Sequence, residues 1–240
     1  VKLDKSETYH DILPKRIGWS KTSSYISIMR GCNNVCSYCV VPYTRGPERS
    51  RSVETILAEA RNIISQGYKE IILLGQNVDS YNYEGTNFAS LIRLVAALDR
   101  SVRIRFSTSH PKDISDELIY AIAEEPNVCR QIHLPVQSGS DIMLEKMRRR
   151  YNREWYLERV RKIREVMPDC GISTDISAGF CGETEDDHKA TLSLMKEVCF
   201  DFAFMFAYSE RPGTLAARNY PDDISIETKT ARLNEIIALQ

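Results

Sequence analysis

Residues 25–39 read Tyr-Ile-Ser-Ile-Met-Arg-Gly-Cys-Asn-Asn-Val-Cys-Ser-Tyr-Cys. The first five, residues 25–29, are mainly apolar and predict a β-strand that ends before Gly31. Three cysteines follow within the next eight positions: Cys32, Cys36 and Cys39. The loop that carries them therefore follows the carboxyl end of the first predicted strand, the edge where parallel α/β folds place their chemistry.

Apolar runs alternate with helical patterns along the rest of the chain. Strands are predicted at residues 25–29, 71–74, 102–107, 131–135, 171–176 and 202–206. Helices are predicted at residues 53–66, 88–98, 114–123, 141–149, 154–166, 185–198 and 227–240. Six alternating strands predict an α/β fold with a parallel sheet and outer helices. Because a closed eight-unit barrel takes about 250 residues, six units in 240 residues favour a partial (β/α)6 barrel over a flat doubly wound sheet.

Composition excludes several classes of protein. The chain is 42% hydrophobic and 27% charged with a net charge of −1, which excludes intrinsic disorder and gives no bulk argument for nucleic-acid binding. No apolar run approaches the roughly 20 residues that span a bilayer, and the start does not resemble a signal peptide. Seven cysteines, an odd number, favour a reducing compartment. We therefore expect a cytoplasmic protein without membrane contact.

The three clustered cysteines have a C-x-x-x-C-x-x-C spacing. Their soft sulfur ligands suit iron or zinc, and three thiolates can hold three irons of a 4Fe–4S cluster while leaving the fourth iron open. A structural zinc site needs a fourth ligand, but the next histidine is the distant His110. A cluster is therefore favoured, with a zinc-stabilised binding module or three buried thiols as the alternatives. The remaining cysteines are scattered and are expected to pack in the interior: Cys129, Cys170, Cys181 and Cys199.

This spacing, with Tyr38 before the last cysteine, resembles the radical S-adenosylmethionine (SAM) enzymes. The resemblance implies that the open iron binds the amino and carboxylate groups of SAM. It also implies that one electron from the cluster cleaves SAM to methionine and a 5′-deoxyadenosyl radical. Tyr38 would then lie near the adenine.

Further segments resemble the methylthiotransferases within that family. They are residues 40–46 (VVPYTRG), 74–78 (LGQNV), 133–140 (HLPVQSGS), 179–184 (GFCGET) and 208–214 (YSERPGT). The first two are most similar to the branch that makes 2-methylthio-N6-isopentenyladenosine beside the tRNA anticodon. The alternatives are the branches that act on a ribosomal-protein aspartate or on threonylcarbamoyladenosine in tRNA.

The resemblance also implies a set of SAM-binding residues, most of which follow predicted strands. They are Gly75, Gln76, Gln137, Ser138, Arg149 and Gly179. Gly75 would let a ligand approach the backbone, although a simple turn is the alternative. Arg149 would pair with the SAM carboxylate, whereas the alternative for the whole Arg148–Arg150 run is to offset a helix dipole. No catalytic side chain is assigned beyond the three cysteines.

The chain is expected to meet RNA just after the cysteine loop. Arg45, Arg49 and Arg51 are predicted to contact anticodon phosphates, and the alternative is that they are ordinary solvated charges. The resemblance implies the tRNA anticodon stem-loop as partner and a one-electron donor such as flavodoxin or ferredoxin. We expect a monomer.

The predicted domain organisation is simple. Residues 1–24 form a leader or linker, and residues 25–240 form the radical SAM partial barrel. The resemblance implies two further domains, an N-terminal one that holds a second cluster and supplies sulfur, and a C-terminal TRAM β-domain that holds tRNA. Since neither is recognisable in this sequence, we expect the chain to be the central domain of a longer protein and to hold one cluster.

Overall fold

The computed structural model describes residues 21–107 and 109–240. Its strands are β1 Ser23–Ser27, β2 Met29–Arg30, β3 Arg49–Ser50, β4 Glu70–Leu74, β5 Asn82–Tyr83, β6 Thr86–Asn87, β7 Arg103–Ser107, β8 Gln131–His133, β9 Gly171–Ala178 and β10 Phe202–Ala207. Its α-helices are α1 Val41–Arg45, α2 Val53–Ser65, α3 Phe88–Ala96, α4 Asp116–Glu124, α5 Asp141–Lys146, α6 Arg153–Val166, α7 Glu185–Val198, α8 Leu215–Asn219 and α9 Ile226–Leu239. The chain divides into two compact units, each with its own sheet.

Unit 1 comprises the described residues of segments 21–33 and 43–131. Its sheet has the order β1-β4-β7 with all strands parallel, and β4 lies in the centre. Alternate strand residues such as Ile26, Leu73 and Ile104 are almost fully buried. The helices α2 and α3 pack on strands of this sheet, and α4 packs on α3. Ser52 caps α2, because its side chain accepts a hydrogen bond from the Thr55 N–H.

Unit 2 comprises segments 34–42 and 132–240, and its sheet has the order β10-β9-β8. Strands β9 and β10 are parallel in register, and a parallel bridge between Gln137 and Ile176 extends the pairing beyond β8. The helix α9 packs on both β9 and β10, and α7 packs on α9. Helix α7 begins with a capping box, in which Thr184 and Asp187 bond each other's backbone N–H groups.

The six predicted strands are all present and form two three-stranded sheets that are covered by helices, whereas the short pairs β2-β3 and β5-β6 are antiparallel. The predicted leader lies outside the described residues up to position 20, and its last two residues already belong to β1. The predicted helix 141–149 is shorter, because Arg148 and Arg150 have φ values of 57° and 60° that a right-handed helix does not allow. The two-residue strands were missed because they are too short to show a period.

None of the helices in the described part of the chain is both long enough and apolar enough to span a membrane.

Candidate functional site: the cysteine loop and its buried arginine

The first half of the cysteine loop is held within unit 1. Gly31 has a φ of 73°, and a side chain there would place its Cβ 2.0 Å from the Pro47 carbonyl oxygen, so only glycine fits. The Gly31 N–H donates to Oε1 of Gln76 at 2.8 Å. The Cys32 N–H donates to the Gly46 carbonyl at 3.2 Å. Gln76, which we predicted as a SAM ligand, therefore ties the start of the loop to the end of β4.

The second half of the loop is held within unit 2. The Cys39 N–H donates to the Cys36 carbonyl at 3.1 Å, which closes a tight turn. Inside this turn the Ser37 N–H donates to the Met147 carbonyl at 3.0 Å, and the Ser37 carbonyl accepts from the Ala216 N–H at 2.7 Å. The turn is thus fixed to the end of α5 and to the first turn of α8.

Arg149 lies against this turn and is only 4% exposed. Its Nη1 donates to the Cys36 Sγ at 3.4 Å and to the Tyr38 hydroxyl at 3.1 Å. Its Nη2 donates to the Pro135 carbonyl at 2.7 Å, and its Nε donates to the Tyr151 hydroxyl at 2.9 Å. Four of the five N–H donors of the guanidinium are therefore engaged by protein atoms, at a position that follows the end of α5 at Lys146.

The groups around Arg149 affect its charge and are affected by it. Burial lowers the pKa of Arg149, but Tyr151, Tyr38 and Cys36 outweigh this and hold the pKa above its ordinary value. Burial raises the pKa of Tyr151 to about 12 and the pKa of Tyr38 still further, so both phenols are neutral at pH 7. Burial also raises the pKa of the Cys39 thiol. In the part of the chain that the structure describes, no carboxylate forms an ion pair with Arg149.

The structure brings together two of the segments predicted to meet the adenine of SAM. Phe180, which follows Gly179, packs edge-on against Tyr38 with ring centroids 6.5 Å apart. Gly179 has a φ of 72°, and a Cβ there would lie 2.4 Å from the Lys229 Cγ. The Gly179 N–H donates to Oε2 of Glu183 at 2.8 Å. Sequence reasoning missed the roles of Phe180 and Tyr151, since nothing in their local pattern distinguishes them from core residues.

Three of the predicted SAM contacts have different surroundings from those expected. A Cβ on Gly75 would lie 2.5 Å from the Met29 Cγ, so Met29 and not open space adjoins this glycine. Ser138 is fully buried, and its hydroxyl bonds Thr191 Oγ1 at 3.2 Å. Gln137 is half-buried and has a φ of 72°, a strained conformation for a residue with a side chain.

The three arginines that were predicted to contact phosphates differ in their burial and in their partners. Arg51 is only 4% exposed, and its Nη1 bonds both Glu59 Oε2 at 2.8 Å and the Ser27 carbonyl at 2.7 Å. It is an internal structural residue, which corrects its predicted role, because a buried ion pair cannot reach a phosphate. Arg45 is exposed at the end of α1. Arg49 is half-buried and donates to the Arg45 carbonyl at 3.5 Å.

The chemistry of the loop suits an iron–sulfur cluster. Cys32, Cys36 and Cys39 are free thiols. Within residues 21–107 and 109–240, no three His, Cys, Asp or Glu side chains are grouped as ligands of a metal ion, so the assignment of the three ligands stays a prediction. The donor set nevertheless fits, because three free thiols on one short loop offer the soft sulfur ligands that iron prefers.

Comparisons with known proteins define the class. The model of the radical SAM superfamily matches residues 26–195, and the chain belongs to this family. The fold is similar to that of a radical SAM methyltransferase from Kitasatospora setae, with a TM-score of 0.67 and 18% identity over 80% of this chain and 38% of that chain. It is also similar to coproporphyrinogen III oxidase from Escherichia coli, with a TM-score of 0.64 and 17% identity over 90% of this chain and 52% of that chain. The predicted α/β fold class and its family are confirmed, and the family implies a 4Fe–4S cluster and SAM as cofactors.

Curated relatives indicate which branch of the family the chain resembles. The tRNA-2-methylthio-N(6)-dimethylallyladenosine synthase of Phocaeicola vulgatus is 58% identical over 100% of this chain and 54% of its own length. The protein of the same name from Porphyromonas gingivalis is 54% identical over 100% of this chain and 52% of its own length. The predicted resemblance to this branch is confirmed, and the chain spans about half the length of the curated relatives it matches.

Proposed function

We propose that this chain is the SAM-cleaving part of a methylthiotransferase that modifies C2 of N6-isopentenyladenosine beside the tRNA anticodon. The observation that carries the proposal is the 58% identity over 100% of the chain to a relative named for this product, since dimethylallyl and isopentenyl denote the same group. The cysteine loop at the carboxyl end of β1 and β2 supports it, because this is the edge where parallel α/β folds place their chemistry.

The residues of the loop are assigned distinct tasks. Cys32, Cys36 and Cys39 hold the cluster, which when bound supplies the electron that cleaves SAM. The bond from Gly31 to Gln76 fixes the first half of the loop, and Arg149 fixes the second half. Each half of the loop is thus tied to a strand or helix end of its own unit.

The SAM nucleoside is assigned to unit 2. Tyr38 and Phe180 present neighbouring aromatic rings, which suit the flat apolar faces of adenine. Gln137 carries a half-buried amide in strained backbone, the kind of position that binding sites use, and suits the ribose or the carboxylate. Ser138 supports this loop from its buried position.

The RNA contact is assigned to Arg45 and Arg49, while Arg51 is excluded by its buried ion pair. Exposed arginines attract the phosphate backbone of an anticodon stem-loop, and the target base leaves its stack to reach the site. We further propose that the protein acts as a monomer in the cytoplasm. A one-electron donor such as flavodoxin or ferredoxin would supply the reducing electron.

The experiment that tests the function is complementation of a strain lacking the gene, followed by mass spectrometry of digested tRNA. The wild-type gene should restore 2-methylthio-N6-isopentenyladenosine, whereas Cys36→Ser should leave N6-isopentenyladenosine unmodified at C2. Cys199→Ser is the matched control, because Cys199 is an exposed cysteine outside the loop. Restored methylthiolation of a ribosomal-protein aspartate or of threonylcarbamoyladenosine, with isopentenyladenosine unchanged, would contradict the proposed substrate.

A further inference from the structure

We propose that Arg149 is a positioning residue that raises the reduction potential of the cluster held by Cys36. It acts through an N–H···S hydrogen bond and through its buried positive charge. The inference deepens the proposed function and rests on it in one respect, the ligation of a cluster by Cys36. It assigns Arg149 a partner other than the SAM carboxylate that the resemblance implied.

The geometry fixes the donor that faces the sulfur. Guanidinium groups are planar, so the direction of one N–H sets the direction of the others. In Arg149 the bonds to Tyr38, Pro135 and Tyr151 hold three directions of the plane, and the remaining bond reaches the Cys36 Sγ at 3.4 Å. The Tyr151 hydroxyl is itself fixed, because its single O–H is shared between the Pro135 and Val136 carbonyls at 3.1 and 3.0 Å. The N–H therefore stays aimed at the sulfur.

The charge of Arg149 is not cancelled as the charges of other buried arginines are. Arg51 pairs with Glu59 at 2.8 Å, and Arg232 pairs with Glu183 at 2.9 Å. Arg149 is surrounded by a sulfur, two neutral phenols and a carbonyl, with no carboxylate partner among the described residues. Because arginine does not lose its proton in proteins, a full positive charge is buried beside Cys36.

This charge acts on the cluster through electrostatics. A cluster gains one negative charge when it is reduced, and a neighbouring cation in a poorly solvated site stabilises the reduced form more than the oxidised form. Hydrogen bonds to cluster sulfurs act in the same direction, and both are recognised controls of cluster potential. Arg149 therefore makes the cluster easier to reduce by a given electron donor.

The test is the midpoint potential of the full-length protein, reconstituted anaerobically and titrated with dithionite and mediators in the absence of SAM and tRNA. Electron paramagnetic resonance would report the reduced cluster. Arg149→Gln should lower the ratio of reduced to oxidised cluster about tenfold at a fixed applied potential, a shift of about 59 mV for one electron. The matched control is Arg148→Gln, an exposed neighbour that also has a positive φ, and it should leave the potential unchanged.

A second variant keeps the test decisive if Arg149→Gln does not retain its cluster. Arg149→Lys keeps the charge but loses the planar fork, so its potential should fall by less than that of the Gln variant. Wild-type potentials in whichever of these variants hold the cluster would overturn the proposal. A wild-type protein that binds no cluster, seen as missing iron and sulfide, would instead overturn the proposed function on which this inference rests.

Discussion

Arg51 in unit 1 and Arg149 in unit 2 are equally buried, each 4% exposed, but they are balanced in different ways. Arg51 forms an ion pair with Glu59, which is 1% exposed, so the pair as a whole is neutral. Arg149 has only sulfur, phenol and carbonyl acceptors. The comparison indicates that the first arginine is committed to stability, whereas the charge of the second is available to a bound group.

A half-buried residue with one buried carboxyl oxygen shows why this difference matters. Asp79 in unit 1 has an Oδ2 atom with no hydrogen-bond partner among the described residues. Burial, opposed by the Ser109 hydroxyl, raises the pKa of Asp79 to about 8, so this carboxyl is largely neutral at pH 7. A carboxyl can thus escape the cost of burial by binding a proton. An arginine has no such route, and Arg149 needs a negative group nearby.

The largest expected effect comes from breaking the Arg51 pair. Arg51→Met leaves the buried Glu59 carboxylate without its cation, and we expect unfolding free energy to fall by about 3–5 kcal/mol. Denaturant unfolding of the purified protein measures this loss.

The control for Arg51 is removal of both charges. The double variant Arg51→Met/Glu59→Leu should recover most of the lost stability, because no unpaired charge is left in the interior. If Arg51→Met instead lowers the unfolding free energy by no more than about 0.5 kcal/mol, as an ordinary surface substitution does, the ion pair with Glu59 does not distinguish Arg51 from Arg149.

A smaller effect on stability is expected at Arg149. Arg149→Met removes a cation that has no carboxylate partner, so no buried charge is left behind. The Tyr151 hydroxyl keeps its carbonyl partners, and the main loss is the donor to Tyr38. We expect the protein without cluster to lose about 1–3 kcal/mol, the cost of leaving a buried polar group unpaired. A loss equal to that of Arg51→Met in the same denaturation series would contradict the comparison.

Sequence alone could not separate these two arginines. Both lie in short arginine-rich segments, Arg49-Ser50-Arg51 and the run from Arg148 to Arg150. The partner of Arg51 is eight positions away on α2, and a partner of Arg149 is fourteen positions away, in the loop that follows β8. These partners depend on how the chain returns to itself, which no local pattern encodes.

The sequence predicted those features that depend only on the local order of residue types. The six strands follow from apolar runs, and the capping box of Thr184 and Asp187 follows from spacing alone. Gly75 and Ser138 were placed at the right strand ends, but their neighbours Met29 and Thr191 come from other elements. The strand ends that carry these residues could therefore be predicted, while the direction in which each side chain faces could not.

The last expected effect is a pH dependence at Asp79. Its pKa of about 8 in the folded protein lies above the ordinary value of 3.8, so between these values the folded state binds a proton that the unfolded state lacks. Stability from this group is therefore lost as pH rises from about 4 to about 8.

Asp79→Asn cannot titrate, so wild type should lose stability relative to this variant when denaturant unfolding is compared at about pH 5 and about pH 8. Asp99→Asn is the control, because Ser101 lowers the pKa of the exposed Asp99 and that carboxylate stays ionised throughout this range. Parallel curves for wild type and Asp79→Asn would mean that Asp79 stays charged when buried, and an acid would then share the constraint that we assign to Arg149 alone.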